Sequence, residues 1–444
     1  MTPKAARQQA VPAGRSALGE PHGAAPEAPH GNAGDAPHGN AGDAPHGNAG
    51  DAPHRGAAAA AVAVARPPVT VSTPGKLILM GEHAVVYGRP ALVAAIDLRL
   101  RATFSAPLAP PGTSLPLSEI GEIVELVEID LPGLAHRVTL PWAEVLAYAR
   151  AARDGWTAYA ARPDLAGFLE LRGDDPAHIV KAALGEAAAA LGEEAGGAPG
   201  LCLRLDSELP IGAGFGSSAA AAVAVVAGYA AWRGRDDLDG GTVARLALEA
   251  ERRQHGLPSG VDTATSLHGG VLWARRLHPA QGGELACERL AADSPLLGRL
   301  RVVHTGTPPE ATGAVVAAVR TRRDSDPAAH ERLFDRMEAA TRGLRAELEA
   351  AAERPERVTA LIREHQACLE ALGVVPAPVR ALVRRVEAAG GAAKVSGAGS
   401  LAGPGAGSLL IYHADSEAVA GWEFLRPFAH LPVHLGTAGF RRET

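Results

Sequence analysis

Residues 209–222 read LPIGAGFGSSAAAA, and their backbone is unusually bare. Gly212, Gly214 and Gly216 alternate with other residues, and Ser217 and Ser218 open the alanine run that follows. Glycine permits close approach to the main chain at a cost in chain entropy. The alternation LCLRLDSEL (201–209) predicts a strand before the glycines, and the apolar run predicts a helix over about 218–233. That order leaves unpaired N–H groups at the positive end of a helix. An anion, typically a phosphate, is the natural occupant, and the serine hydroxyls add ligands for phosphate or Mg²⁺. A glycine-rich turn capped by a serine has the same pattern, and the stretch alone leaves both readings open. It is not a GxxxxGK[ST] loop: no lysine follows Gly216, and the one Gly-Lys pair, Gly75–Lys76, lacks the following Ser or Thr. Gly397-Ala-Gly399-Ser-Leu-Ala402 satisfies GxGxxA in form, but it follows a predicted helix and leads into a predicted strand, the reverse of a dinucleotide site.

Three further blocks bring side chains with chemistry. TPGKLILMGEHAVVYGRPA (73–91) carries Lys76, the pair Glu82–His83 and Tyr87 in one strand–loop unit. HGLPSGVDTATSLHGG (255–270) puts Asp262 after a tight turn, eleven residues beyond Glu251. KVSGAGSLAGPGAGS (394–408) is a second glycine loop. Each residue alone has a plainer reading. Lys76 suits a strand start, His83 a packed core, Glu251 a solvated helix face and Asp262 a turn or cap.

The elements that must position these blocks follow from hydrophobic period. Strands are predicted at 69–73, 76–80, 91–104, 201–209, 269–277 and 298–306, and again in AKVSGAG, SLLIYH and VHLGTAGF near the end. Helices are predicted at 176–195, 218–233, 242–256, 312–323, 327–352, 355–372 and 376–389. In this reading a loop carries Asp262 and a helix carries Glu251. The mixture implies an α+β protein in two halves. Before it, APHGNAGD occurs three times between Ala28 and Asp51, and His22, His30, His38, His46 and His54 recur every eight residues. Such a Pro/Gly/Asn/Asp-rich segment has little to bury and is expected to be a disordered tail.

Composition narrows the function class. The chain has 444 residues, 47% hydrophobic and 21% charged, which suits a globular core. A net charge of −6 argues against a general nucleic-acid binder. The apolar part of 209–232 falls short of the ~20 residues a membrane span needs. Cys202, Cys287 and Cys368 are scattered, with neither metal spacing nor an even count, which points to a reducing cytoplasm.

In this order the four blocks resemble the GHMP kinase superfamily, and within it the mevalonate kinase family, over about 67–440. PGKLILMGEHAVVYG is the most specific: galactokinases continue GEH with Thr-Asp, mevalonate kinases as here. ERRQHGLPSGVD matches closely, and LPGLAHRVTLPW (131–142) more loosely. The resemblance implies the two-domain GHMP kinase fold. A ribosomal protein S5 domain 2-like domain is expected at 67–290 and a ferredoxin-like domain at 291–444, behind a tail at 1–66. It implies transfer of the ATP γ-phosphoryl to the primary hydroxyl of mevalonate, giving 5-phosphomevalonate in isoprenoid biosynthesis. ATP would be co-substrate and Mg²⁺ the metal. Neither nucleic acid nor membrane is an expected partner, and members of the family often form homodimers.

The resemblance also implies roles, position by position. Asp262 matches the catalytic aspartate and Lys76 the lysine beside it. Gly212, Gly214, Gly216, Ser217, Ser218, Gly397 and Gly399 match the nucleotide-binding positions. Ser218 and Glu251 match the metal ligands, and Glu82, His83 and Thr312 the acceptor side. Two departures stand out. Pro309-Glu310-Ala311 replaces the usual basic residue before Thr312, and GAGSLAGPGAGS is longer than the usual GAGGGG-like run, with Pro404 inside it. The longer loop suggests altered nucleotide affinity or feedback control. A kinase for phosphomevalonate or a sugar, and a non-catalytic ligand sensor, are the alternatives. The blocks show no added Lys or Arg for a phosphorylated acceptor, and intact Lys76, Ser218, Glu251 and Asp262 favour catalysis.

Overall fold

The computed structural model describes residues 66–107, 125–193, 198–210, 212–235, 238–277 and 284–444. The tail expected at 1–66 lies almost wholly outside the described residues, and so does most of the Pro-rich loop at 106–116. In chain order the first half comprises β1 (Val69–Met80), β2 (Pro90–Ser105), β3 (Leu126–Leu131), β4 (His136–Pro141), α1 (Trp142–Ala161), α2 (Leu165–Arg172), α3 (His178–Ala190), β5 (Leu201–Ser207), α4 (Ser217–Trp232), α5 (Gly240–His255), α6 (Val261–His268), β6 (Val271–Arg276) and β7 (Leu285–Leu290). The second comprises α7 (Pro295–Arg299), β8 (Leu300–His304), α8 (Thr312–Ser325), α9 (Pro327–Leu348), α10 (Pro355–Ala371), α11 (Ala377–Ala388), β9 (Ala392–Ser396), β10 (Ser408–Tyr412), α12 (Ser416–Ala420), β11 (Ala429–Leu431) and β12 (Arg441–Arg442).

Two sheets organise the molecule. The larger has the order β12-β1-β2-β5-β3-β4, with β6 on β2 and β7 on β6. All its pairs are antiparallel except β3 with β5. The smaller is antiparallel in the order β11-β8-β10-β9. β1 is buried along nearly its whole length because helices cover one side of it and the second half the other. α4 has no polar face: every residue from Ala219 to Ala230 is buried, as a helix apolar all round must be. Gly228 lets it press on the sheet, since a Cβ there would fall 2.3 Å from the Phe104 ring.

The structure departs from the sequence-based elements at several places, and it adds short elements such as β3, β4 and β7 that the sequence reading left unassigned. The strands expected at 69–73 and 76–80 are one strand, which accommodates Pro74-Gly75 by a register shift at that point. Asp262 lies not in a loop but in the first turn of α6. VHLGTAGF forms only isolated bridges at Leu435 and Ala438. The Arg99 guanidinium takes the carbonyls of Ala438 and Gly439 at 2.9 and 2.7 Å, so they need no ladder. The stretch left unassigned after 142 holds α1 and α2. β12 returns to pair with β1, so the last residues complete the first sheet.

Candidate active site

The thirteen residues singled out above all line one cavity of about 540 Å³ between the ends of the two sheets. β5 delivers the chain to the first glycine loop, where Gly212, Gly214 and Gly216 have φ of 74°, 84° and 69°. Gly216 caps the N-terminus of α4 in the left-handed region. A Cβ on it would stand 3.0 Å from Lys76 Cγ and 3.5 Å from Asp262 Oδ2, so the bare position admits both side chains. Ser217 and Ser218 follow in the first turn of α4.

Lys76 comes up from the middle of β1. Its backbone N–H donates to the Phe215 carbonyl at 2.9 Å, and its Nζ donates to Gly214 O at 2.9 Å. The ammonium lies 3.3 Å from Asp262 Oδ2; Lys76 is buried, while the Asp262 side chain is 33% exposed. The pair thus joins a fixed cation to a carboxylate that ligands can reach.

α5 brings Glu251 and His255 to the same wall, one turn apart and 3.9 Å from each other. His255 Nε2 is 2.9 Å from Ser218 Oγ. Burial, against the opposing pull of the Asp262 charge, pushes the His255 imidazole down to about 4, so the ring is neutral. Burial, then the nearby Asp262 charge, pushes the Glu251 carboxyl up to about 8. Glu251 Oε1 has no hydrogen-bond partner. A buried carboxylate oxygen left without a donor, beside a serine hydroxyl, fits a hard cation that takes oxygen ligands. Among the described residues there is no cluster of three His, Cys, Asp or Glu suited to a metal, so any cation here would draw its other ligands from substrate and water. The sequence reading did not single out His255, although its place four residues after Glu251 puts both on one helix face.

The acceptor-side residues divide. Glu82 is 1% exposed, and its carboxylate is bound by Lys394 of β9. Lys394 Nζ also donates to Ile78 O at 3.2 Å, and His365 Nε2 accepts from Gly81 N at 2.9 Å. Burial raises the Glu82 pKa and lowers that of Lys394, each outweighing their mutual attraction. Glu82 therefore ties the first sheet to the second. His83 has φ 57°, a costly conformation for a non-glycine residue, and its Nε2–H donates to Ala398 O at 3.0 Å. Burial pushes its imidazole down to about 4. Thr312 is exposed on the rim, at the first position of α8.

The second glycine loop packs on the first. A Cβ on Gly214 would stand 3.3 Å from Ser396 O, and Ser408 Oγ donates to Ala213 O at 2.7 Å. Gly397 and Gly399 have φ of 99° and 73°. The extra residues 401–404 do not line the cavity; Ser400 Oγ donates to Glu310 at 2.7 Å and so joins the loop to the segment before Thr312.

Comparison with known proteins accords with this geometry. The family model described as GHMP kinases N terminal domain matches residues 178–270. The chain is 33% identical over 211 residues to the mevalonate kinase of Thermococcus sibiricus, covering 47% of this chain and 52% of that protein. It is 30% identical over 290 residues to the mevalonate kinase of Archaeoglobus fulgidus, covering 65% and 76%. The aligned region thus spans about half the length of the first relative and three quarters of the second. The crystal structure of the Methanococcus jannaschii mevalonate kinase superposes with a TM-score of 0.61 at 18% identity, covering 83% of this chain and 98% of that one. Among the described residues no helix is long and apolar enough to cross a membrane.

Proposed function

This chain belongs to the GHMP kinase family, and on that footing we propose that it transfers the γ-phosphoryl group of ATP to the primary hydroxyl of mevalonate. The observation that carries the proposal is the Lys76–Asp262 pair at 3.3 Å, set against a glycine loop at the start of α4.

In this reading the backbone N–H groups at the start of α4 hold phosphate oxygens, with Gly212, Gly214, Gly216 and Ser217 on one side and Gly397 and Gly399 on the other. The acceptor oxygen attacks the γ-phosphorus, the bond to the bridging oxygen breaks, and ADP leaves. Asp262 takes the hydroxyl proton. Lys76, beside Asp262, lends its charge to the phosphoryl in flight. Ser218 and Glu251 would hold Mg²⁺, which when bound neutralises phosphate charge. The orphaned Glu251 oxygen supports that assignment. His83, neutral with Nε2–H engaged, would offer Nδ1 to an acceptor hydroxyl rather than a charge to its carboxylate. Thr312 lies within reach of the same side. Glu82 acts one step back, by holding the loop that carries His83.

The reading also takes a domain division near 290, supported by the separate sheets, a cytoplasmic location, supported by three free cysteines, and the homodimer common in the family, to be checked by light scattering. A coupled ADP-release assay with Mg²⁺-ATP tests the function, comparing mevalonate, phosphomevalonate and galactose, with Asp262→Ala as control. Turnover on mevalonate alone, lost in the variant, is expected. Turnover on another acceptor, or on none, overturns the assignment.

A further inference from the structure

One cation inside the cavity belongs to none of the four sequence blocks. Arg172 is the last residue of α2 and lines the cavity wall. Its helix is held firmly. Asp164 Oδ1 accepts from Gly167 N at 2.8 Å at the start. Phe168 is fully buried against Tyr159 and against Gly313 of α8, where a Cβ would fall 2.3 Å from the ring. Gly173, with φ 57°, ends the helix directly after Arg172.

Among the described residues, Lys76 and Arg172 are the only lysine or arginine that line this cavity. Lys76 is engaged by Asp262 and the Gly214 carbonyl. Glu82 is engaged by Lys394, and Glu310 accepts the Ser400 hydroxyl. Arg172 makes no hydrogen bond or ion pair with any described residue, and its side chain is only half-buried. Its charge reaches His255, the residue bonded to Ser218. A guanidinium presents a planar fork of donors that matches carboxylate or phosphate oxygens. Held on a packed helix and left unpaired, it is pre-organised for such a group.

We propose that Arg172 receives an anionic group, carboxylate or phosphate, of a substrate bound in this cavity and sets that substrate's affinity. The proposal rests on the kinase reading above. The plainer alternative is a cation that only complements the C-terminal end of the α2 dipole.

Equilibrium titration of Mg²⁺-ATP and of mevalonate into wild type, Arg172→Gln and Arg172→Lys separates these. Arg172→Gln is expected to weaken one of the two ligands by about tenfold or more, with Tm unchanged. Arg172→Lys should recover part of the loss, and high salt should narrow the gap between wild type and Arg172→Gln. Weakened ATP identifies a phosphate partner; weakened mevalonate identifies the carboxylate. Dissociation constants within twofold of wild type for both ligands overturn the proposal, as does uniform weakening accompanied by a lower Tm. If wild type binds ATP but not mevalonate, the acceptor assignment fails and the ATP titration alone decides on Arg172.

Discussion

Replacing Lys394 by methionine removes the cation bound to Glu82 at a place where neither side chain meets water: Lys394 is 0% exposed and Glu82 1%. Methionine keeps the length and apolar stem, so packing changes little. Glu82 must then stay ionised without its partner or take up a proton. His365 is a poor substitute cation, because its Nε2 already accepts the Gly81 N–H. From the ordinary value of 4.5, protonation at pH 7 costs about 3.4 kcal/mol. That figure falls within the roughly 3–5 kcal/mol seen when one partner of a buried pair is removed. At pH 5.5 the same proton costs only about 1.4 kcal/mol. Lys394→Met is therefore expected to lose about 3 kcal/mol at pH 7 and about 2 kcal/mol less than that at pH 5.5, measured by urea unfolding. Glu82→Gln combined with Lys394→Met should recover most of the loss, because it removes the stranded charge. A deficit equal at both pH values, or a double variant no better than the single one, would refute the reasoning.

Other expectations follow from the same geometry. His83 is held neutral in the fold, with its pKa lowered from 6.5 to about 4. The unfolded chain binds the extra proton between those values, so this stability is full above pH 6.5 and is lost as pH falls towards 4. His83→Gln should flatten the acid limb by about 3 kcal/mol, read from unfolding curves between pH 4 and 7. Gly216→Ala places a Cβ 3.0 Å from Lys76 at φ 69°; it should cost about 1–2 kcal/mol and lower kcat, and an unchanged kcat would argue against a tight Lys76–Asp262 seat. Glu251→Gln should weaken Mg²⁺-ATP binding in a titration without lowering the Tm of the ligand-free protein, since no protein donor serves Oε1. Deleting Leu401–Pro404 should leave the KM for ATP near that of wild type, because these residues stand off the cavity lining; a several-fold rise would restore the expectation drawn from the loop's length.

Much of the site was legible because its chemistry is local in sequence. The glycines at 212–216 needed positive φ, and only a residue without Cβ supplies it at low cost. The apolar run after Ser218 could only be a buried helix. The motif spacing carried Lys76, Glu251 and Asp262 to their places because each lies on, or directly beside, an element whose period was clear. Boundaries were harder to read where side chains stand in for ladder bonds, as Arg99 does for the carbonyls of Ala438 and Gly439.

By itself the sequence determined the order strand, glycine loop, helix, and with it a bare backbone whose free N–H groups open a helix. The same blocks determined which carboxylates and which lysine accompany it. Only the tertiary structure decided what each side chain faces. It engaged the Glu82 carboxylate with Lys394, more than three hundred residues later in the chain. It put Asp262 in the first turn of a helix, set His255 on Ser218, and left Arg172 unpaired in the wall. The reason is physical: backbone conformation is set mostly by neighbours along the chain, whereas burial and charge pairing depend on elements brought together from distant parts of it.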